Sequence, residues 1–210
     1  MTMSVGDDPW GDVPAPTIPR RPGQSAQEMA DAKARERPLG TVIDRVLGRH
    51  NEEQAWRKGA RGEARIGRFL DRRLPGFVIR HDLPIGDRAN IDHLVAGPTG
   101  VFTLNTKNHQ RSSVWVGDGI VMVDGQKKRY IRNSQWEARE VRRVLGDAVP
   151  RGVEVEPVIV VISKSLKIAG HPPVSVVAAD RVVRWIRSRP VALNPESIEV
   201  LRRAIEFWRA

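Results

Sequence analysis

The chain has 210 residues, 40% hydrophobic and 29% charged, enough to bury a sizeable core in one domain with room for a tail. Lys and Arg number 35 against 25 Asp and Glu, and this formal +10 favours a polyanionic partner, nucleic acid or an anionic membrane surface. The absence of cysteine excludes disulfides, thiol nucleophiles and Cys-bound zinc; with no secretion-signal pattern at the start and no apolar run long enough to span a bilayer, a soluble cytoplasmic protein is expected.

Residues 1–25 hold Pro9, Pro14, Pro16, Pro19 and Pro22 among small and acidic side chains. Such a segment buries too little to offset its ordering entropy, so disorder is expected there. Residues 27–37 read as a polar helix stopped by Pro38, which makes 1–38 a disordered or weakly helical tail. Val42, Ile43, Val46 and Leu47 predict a short amphipathic helix within 39–50. The whole charge surplus falls in 51–210, the expected folded domain.

That domain opens with Trp56, Ala60, Glu63, Ile66, Leu70 and Leu74 on one helix face, closed by Pro75-Gly76. Strands follow at 77–81, 91–96 and 101–106, the last two joined by Gly97-Pro98-Thr99-Gly100. Residues 114–116 and 120–123 flank Gly117-Asp118-Gly119 as a hairpin. A helix is expected at 134–148, a doubly covered strand at 156–163, another strand at 174–178, and helices at 181–187 and 195–208. This order gives an α/β fold, a central mixed β-sheet flanked by helices. Trp56, Trp136, Trp185 and Trp208 fall at helical core spacing and read as packing residues.

Three features resist a purely structural reading. Glu63 interrupts an apolar helix face, where a carboxylate is costly unless paired or metal-bound; pairing with Arg61 or Arg65 is the plain alternative. Asp92 enters an apolar strand, and His93 beside it alternates to the opposite face as a packing residue. Asn105 and Lys107 share a face of the next strand, so that Asp92, Asn105 and Lys107 converge at one end of the sheet. Lys127, Lys128, Arg129 and Arg132, interleaved with Tyr130, form a basic run that reads either as a phosphate-backbone contact or as a solvated hairpin exit. His109 reads as a substrate contact or as neutral surface, and His50, His81 and His171 lack metal-ligand spacing.

Trp56-x-x-Gly59-x-x-Gly62-Glu63, Asn90-Ile91-Asp92-His93-Leu94, Gly97-Pro98-Thr99-Gly100-Val101-Phe102 and Asn105-Thr106-Lys107-Asn108-His109 together resemble the nuclease-related domain family, most strongly over 51–165. That family is placed in the PD-(D/E)XK nuclease superfamily. The resemblance implies a restriction-endonuclease-like core and a nuclease that uses Mg²⁺ or Mn²⁺ to hydrolyse DNA or RNA. It implies Asp92 as main metal ligand, Lys107 as the motif lysine, and Glu63 as the helix carboxylate that completes the site. Two departures stand out. Asn105 occupies the position of an acid, and Glu137 occupies that of a glutamine opening the next helix. Glu137 either restores the charge missing at Asn105 or closes a capping box with Ser134. Asn105 also leaves open a degenerate relative that binds nucleic acid or protein without cleaving. A peripheral membrane or scaffold role, using the helix within 39–50, ranks below both. The excess of arginine over lysine suits a GC-rich bacterial genome.

Overall fold

Runs of β-branched and aromatic residues alternate or continue through the middle of the chain, and each becomes a strand because helices bury both faces of the sheet. The computed structural model describes residues 20–36, 52–86 and 89–208. The helix expected within 39–50 and residues 1–19 lie outside them. The order is α1 (Gln24–Glu36), α2 (Glu52–Arg73), β1 (Val78–Ile85), β2 (Ala89–Gly97), β3 (Gly100–Val116), β4 (Val121–Val123), β5 (Gln126–Lys128), α3 (Tyr130–Leu145), β6 (Val155–Ile168), β7 (Ser175–Ala178), α4 (Val182–Arg187) and α5 (Pro195–Glu206).

The seven strands form one mixed sheet in which β1 to β5 follow an antiparallel path and β6 runs parallel to β3 and β7. α2 and α4 cover one face through Ile66, Leu70, Val182 and Ile186, packed with Phe102, Leu104 and Val160. α3 and α5 cover the other through Val141, Leu145, Leu201, Ile205 and Trp208, packed with Leu94 and Val101. This is the α/β sandwich expected, and it is consistent with a restriction-endonuclease-like core.

Several boundaries differ from the sequence reading. Residues 101–106 and 114–116 belong to one long strand, β3, because β6 pairs alongside both halves, with a bulge between His109 and Ser113. β5 was not expected; it takes in Lys127 and Lys128. α3 starts at Tyr130, four residues early, because Ile131 extends its buried face by a turn. Ser134 is therefore inside the helix with its hydroxyl buried and without a partner, and no Ser134–Glu137 capping box forms. Trp136 is 38% exposed instead of packed, while Trp208 is buried and Trp185 stacks edge-on against Phe102. The side chain of Trp56 lies outside the described residues.

Residues 20–36 make contacts with the domain. Pro22 sits so close to Gly67 of α2 that a Cβ there would lie 2.3 Å from its ring. Ser25 N–H donates to Asp82 Oδ2 at 2.6 Å, and Arg57 reaches Asp31 across α1 and α2 at 3.0 Å.

Candidate active site

β6 occupies one edge of β3 along most of its length, so β2 and β4 share the other. β2 pairs with Gly100–Leu104 and β4 with Val114–Val116. Between these two stretches the strands fork, and no described strand pairs with that edge of β3. The expected residues gather at this fork. An edge N–H left without a partner is costly when buried, and here Asp92 fills the role of the missing strand: its Oδ2 accepts from Thr106 N–H at 2.6 Å.

Asn105 and Lys107 lie to either side of Thr106 and share the face covered by α3. Asn105 Nδ2 donates to Glu137 Oε1 at 2.5 Å. That bond leaves Asn105 Oδ1 and Glu137 Oε2 buried without partners. Glu63 arrives from α2 on the opposite face. A Cβ at Gly62 would lie 2.8 Å from Asn108 Cβ, and Asn108 Nδ2 donates to Lys58 O at 2.7 Å, so this turn of α2 rests directly on β3. Glu63 makes no ion pair with Arg61 or Arg65 among the described residues.

The electrostatics tie these groups together. Burial pushes the Glu63 carboxyl up to about 8, with Asp92 and Asp82 adding to the rise and Lys107 opposing it. Burial also raises Asp92, with Asp82 adding to it, against the pull of Lys107 and of the Thr106 N–H. Glu137 is pushed up to about 7 by burial and then by Asp92, against the Asn105 hydrogen bond and Lys107. One ammonium group therefore acts on three carboxyls from three elements.

Among the described residues no three Asp, Glu or His side chains form a cluster that would hold a metal by themselves. The available donors are instead two kinds of oxygen, the carboxyls of Asp92, Glu63 and Glu137 and the amide Oδ1 of Asn105. Such an all-oxygen set suits a hard divalent cation. The two orphaned oxygens of Asn105 and Glu137 are the feature that fits one, because buried acceptors without partners are otherwise unfavourable.

The basic run divides. Lys128 is half-buried on β5, whereas Lys127, Arg129 and Arg132 are exposed. His109, half-buried on β3, has Nε2 2.9 Å from the Tyr130 hydroxyl, and Lys107 Nζ lies 5.1 Å from the centre of the Tyr130 ring.

Two groups escaped the sequence reading. Asp82, buried at 3% exposure with φ of 53°, accepts from Ser25 N–H and from Asn90 Nδ2 and faces Arg20. Its only signal was an acid just past the expected end of a strand. The second is a hydrogen-bonded line that runs from Asp71 to Thr106. Asp71 Oδ1 lies 3.1 Å from His81 Nε2, His81 Nδ1 lies 2.9 Å from His93 Nδ1, and His93 Nε2 lies 3.3 Å from Thr106 Oγ1. With Asp71 as acceptor at one end, the donors run in one direction and Thr106 Oγ1–H completes the line at the other. Burial lowers the pKa of both imidazoles, keeping them neutral.

A cavity of about 880 Å³ lies beside the start of β3, bordered by Phe102, Glu156, His171, Trp185 and Arg189, and none of the expected site residues lines it. No described helix is long and apolar enough to cross a membrane.

Residues 58–162 match the nuclease-related domain. A stretch of 78 residues is 32% identical to an uncharacterised protein of Bacillus anthracis, covering 35% of this chain and 34% of that one. The chain thus spans about a third of that relative's length. No solved structure matches the chain significantly.

Proposed function

The chain belongs to the nuclease-related domain family, and on that premise we propose that it hydrolyses phosphodiester bonds of DNA or RNA with Mg²⁺ or Mn²⁺ held at the β3 fork. The observation that carries this reading is the pair of buried, unpartnered oxygens on Asn105 and Glu137, with the Asp92 carboxyl near enough to raise the Glu137 pKa. Asp92, Glu63, Asn105 and Glu137 are the residues that would hold the cation. When bound, such an ion neutralises phosphoryl charge and lowers the pKa of a water.

The protein's own groups supply the rest. Thr106 N–H fixes the Asp92 carboxyl, so its second oxygen keeps one orientation. Lys107, held above the Tyr130 ring, stabilises negative charge where the backbone phosphate reacts. Glu137 supplies the negative charge that an acid at position 105 would have supplied, through the amide it binds. Lys127, Lys128, Arg129 and Arg132 lie before or within the first turn of α3 and guide a polyanion toward the fork.

A second reading, binding of nucleic acid without cleavage, is favoured by the want of a three-acid cluster among the described residues. Incubation with plasmid, linear DNA and RNA, with Mg²⁺, Mn²⁺ or chelator, separates the two. Metal-dependent cutting lost in both Asp92→Ala and Lys107→Ala is expected; salt-sensitive binding with no cutting under any of these conditions would leave the binder alone standing.

A further inference from the structure

Three lysines from three different elements act on His109. Lys58 comes from α2, where its carbonyl is tied to Asn108; Lys107 lies two residues from His109 on β3; Lys128 comes from β5. None of the three forms a salt bridge among the described residues, and Lys128 Nζ donates at 3.1 Å to Gln126 Oε1, a neutral amide. The Tyr130 hydroxyl and His109 Nε2 are hydrogen-bonded at 2.9 Å, and their rings stack at 5.8 Å. The half-buried imidazole is thereby held in one orientation among positive charges that repel one another.

We propose that Lys58, Lys107, Lys128, His109 and Tyr130 form a subsite for one backbone phosphate of a nucleic acid, next to the carboxyl cluster and distinct from it. The inference rests on the nuclease-related reading above and adds to it where the substrate backbone lies. Lys107 belongs to both places, since it also acts on Glu63, Asp92 and Glu137. A phosphate here would offset Lys58 and Lys128, which make no salt bridge among the described residues, and add to the carboxyls already acting on Lys107. It would also meet the one polar hydrogen that the Tyr130–His109 bond leaves over, in keeping with phosphate contacts that set the register of a bound strand. Asp124 is the acid that acts on His109, but its Oδ1 is engaged by Ser113 N–H at 2.8 Å.

The imidazole itself reports occupancy. Burial first, then Lys58, Lys107 and Lys128, lower the His109 pKa to about 4. An anion among those lysines reverses their effect, so the His109 titration midpoint, followed by NMR on the full chain in chelator, should rise by about one pH unit on adding a ribo- or deoxyribotrinucleotide. The same rise should vanish in Lys58→Gln/Lys128→Gln, whose spectrum otherwise matches wild type, and persist in Asp92→Asn. No rise with either trinucleotide overturns the subsite, as does a rise that survives in the double variant. Because the readout needs no metal and no turnover, a rise in a protein that never cuts would defeat the nuclease reading and leave the subsite in place; cutting without a rise would do the reverse.

Discussion

Asn105 is 4% exposed and Glu137 8%, so the hydrogen bond between them is nearly dry. An aspartate at 105 would place a second carboxylate against the first. In chelator, Asn105→Asp should therefore lower stability by ~3 kcal/mol, the order of an uncompensated buried charge. Added Mg²⁺ or Mn²⁺ should recover much of that loss, because a ligand that binds only the folded state stabilises it. Thermal melts with and without the ion check both halves; a variant as stable as wild type in chelator would argue that the two side chains do not meet. Glu137→Gln tests the other partner. Its divalent-ion affinity should fall by about tenfold or more in calorimetry, and an unchanged affinity removes Glu137 from the set of donors.

At the level of strands and helices, the line Asp71–His81–His93–Thr106 ties α2 to the backbone that holds Asp92. It works only while both imidazoles are neutral. His81 has its pKa lowered from 6.5 in the folded protein, mainly by burial. The unfolded chain therefore binds the extra proton first. The stabilisation this gives is complete above about pH 6.5 and declines as the pH falls below it. Glu63 and Glu137, raised in the fold, act with the opposite sign and cost stability as pH rises from 4.5 toward about 8 and about 7. Comparing wild type with His81→Gln isolates the histidine: the gap between their urea midpoints should be widest at pH 7.5 and narrow by pH 5. A constant gap would mean that His81 takes up its proton at the same pH in the folded and unfolded states.

The same elements show what could be read in advance. Strand alternation placed Asn105 and Lys107 on one face, and the apolar repeat placed Glu63 on α2, because both depend on local periodicity alone. The fork was not legible, since it arises from β2 and β4 leaving one edge of β3 at different points. The early start of α3 was hidden because Ser134, three residues ahead of Glu137, has the pattern of a helix opener, whereas the buried Ile131 sets the true first turn. Asp82 was missed because its left-handed φ of 53°, which Asp tolerates better than most residues, has no sequence mark of its own.

For the molecule as a whole, the matched residues 58–162 begin inside α2 and stop inside β6. Leu201, Ile205 and Trp208, all far beyond the match, close the core over β1, β2 and α3, and Trp208 Nε1 donates to Pro84 O at 2.8 Å. Leu201→Ala should cost about 2–5 kcal/mol in chemical denaturation, a loss that would be absent if α5 were only peripheral. The formal +10 of the chain sets a second expectation at this scale: affinity for a DNA or RNA duplex should fall steeply between low and physiological salt.

The contact between Asp82 and residues 20–25, at the start of α1, reaches further than its position suggests. Removing everything before residue 58 would spare each proposed ligand, yet strip Asp82 of Ser25 and Arg20 and leave Asn90 as its remaining partner. The freed negative charge would then bear on Asp92 and Glu63, which it already disfavours. A protease that trims this leading arm would thus disturb the carboxyl cluster without removing any of its residues.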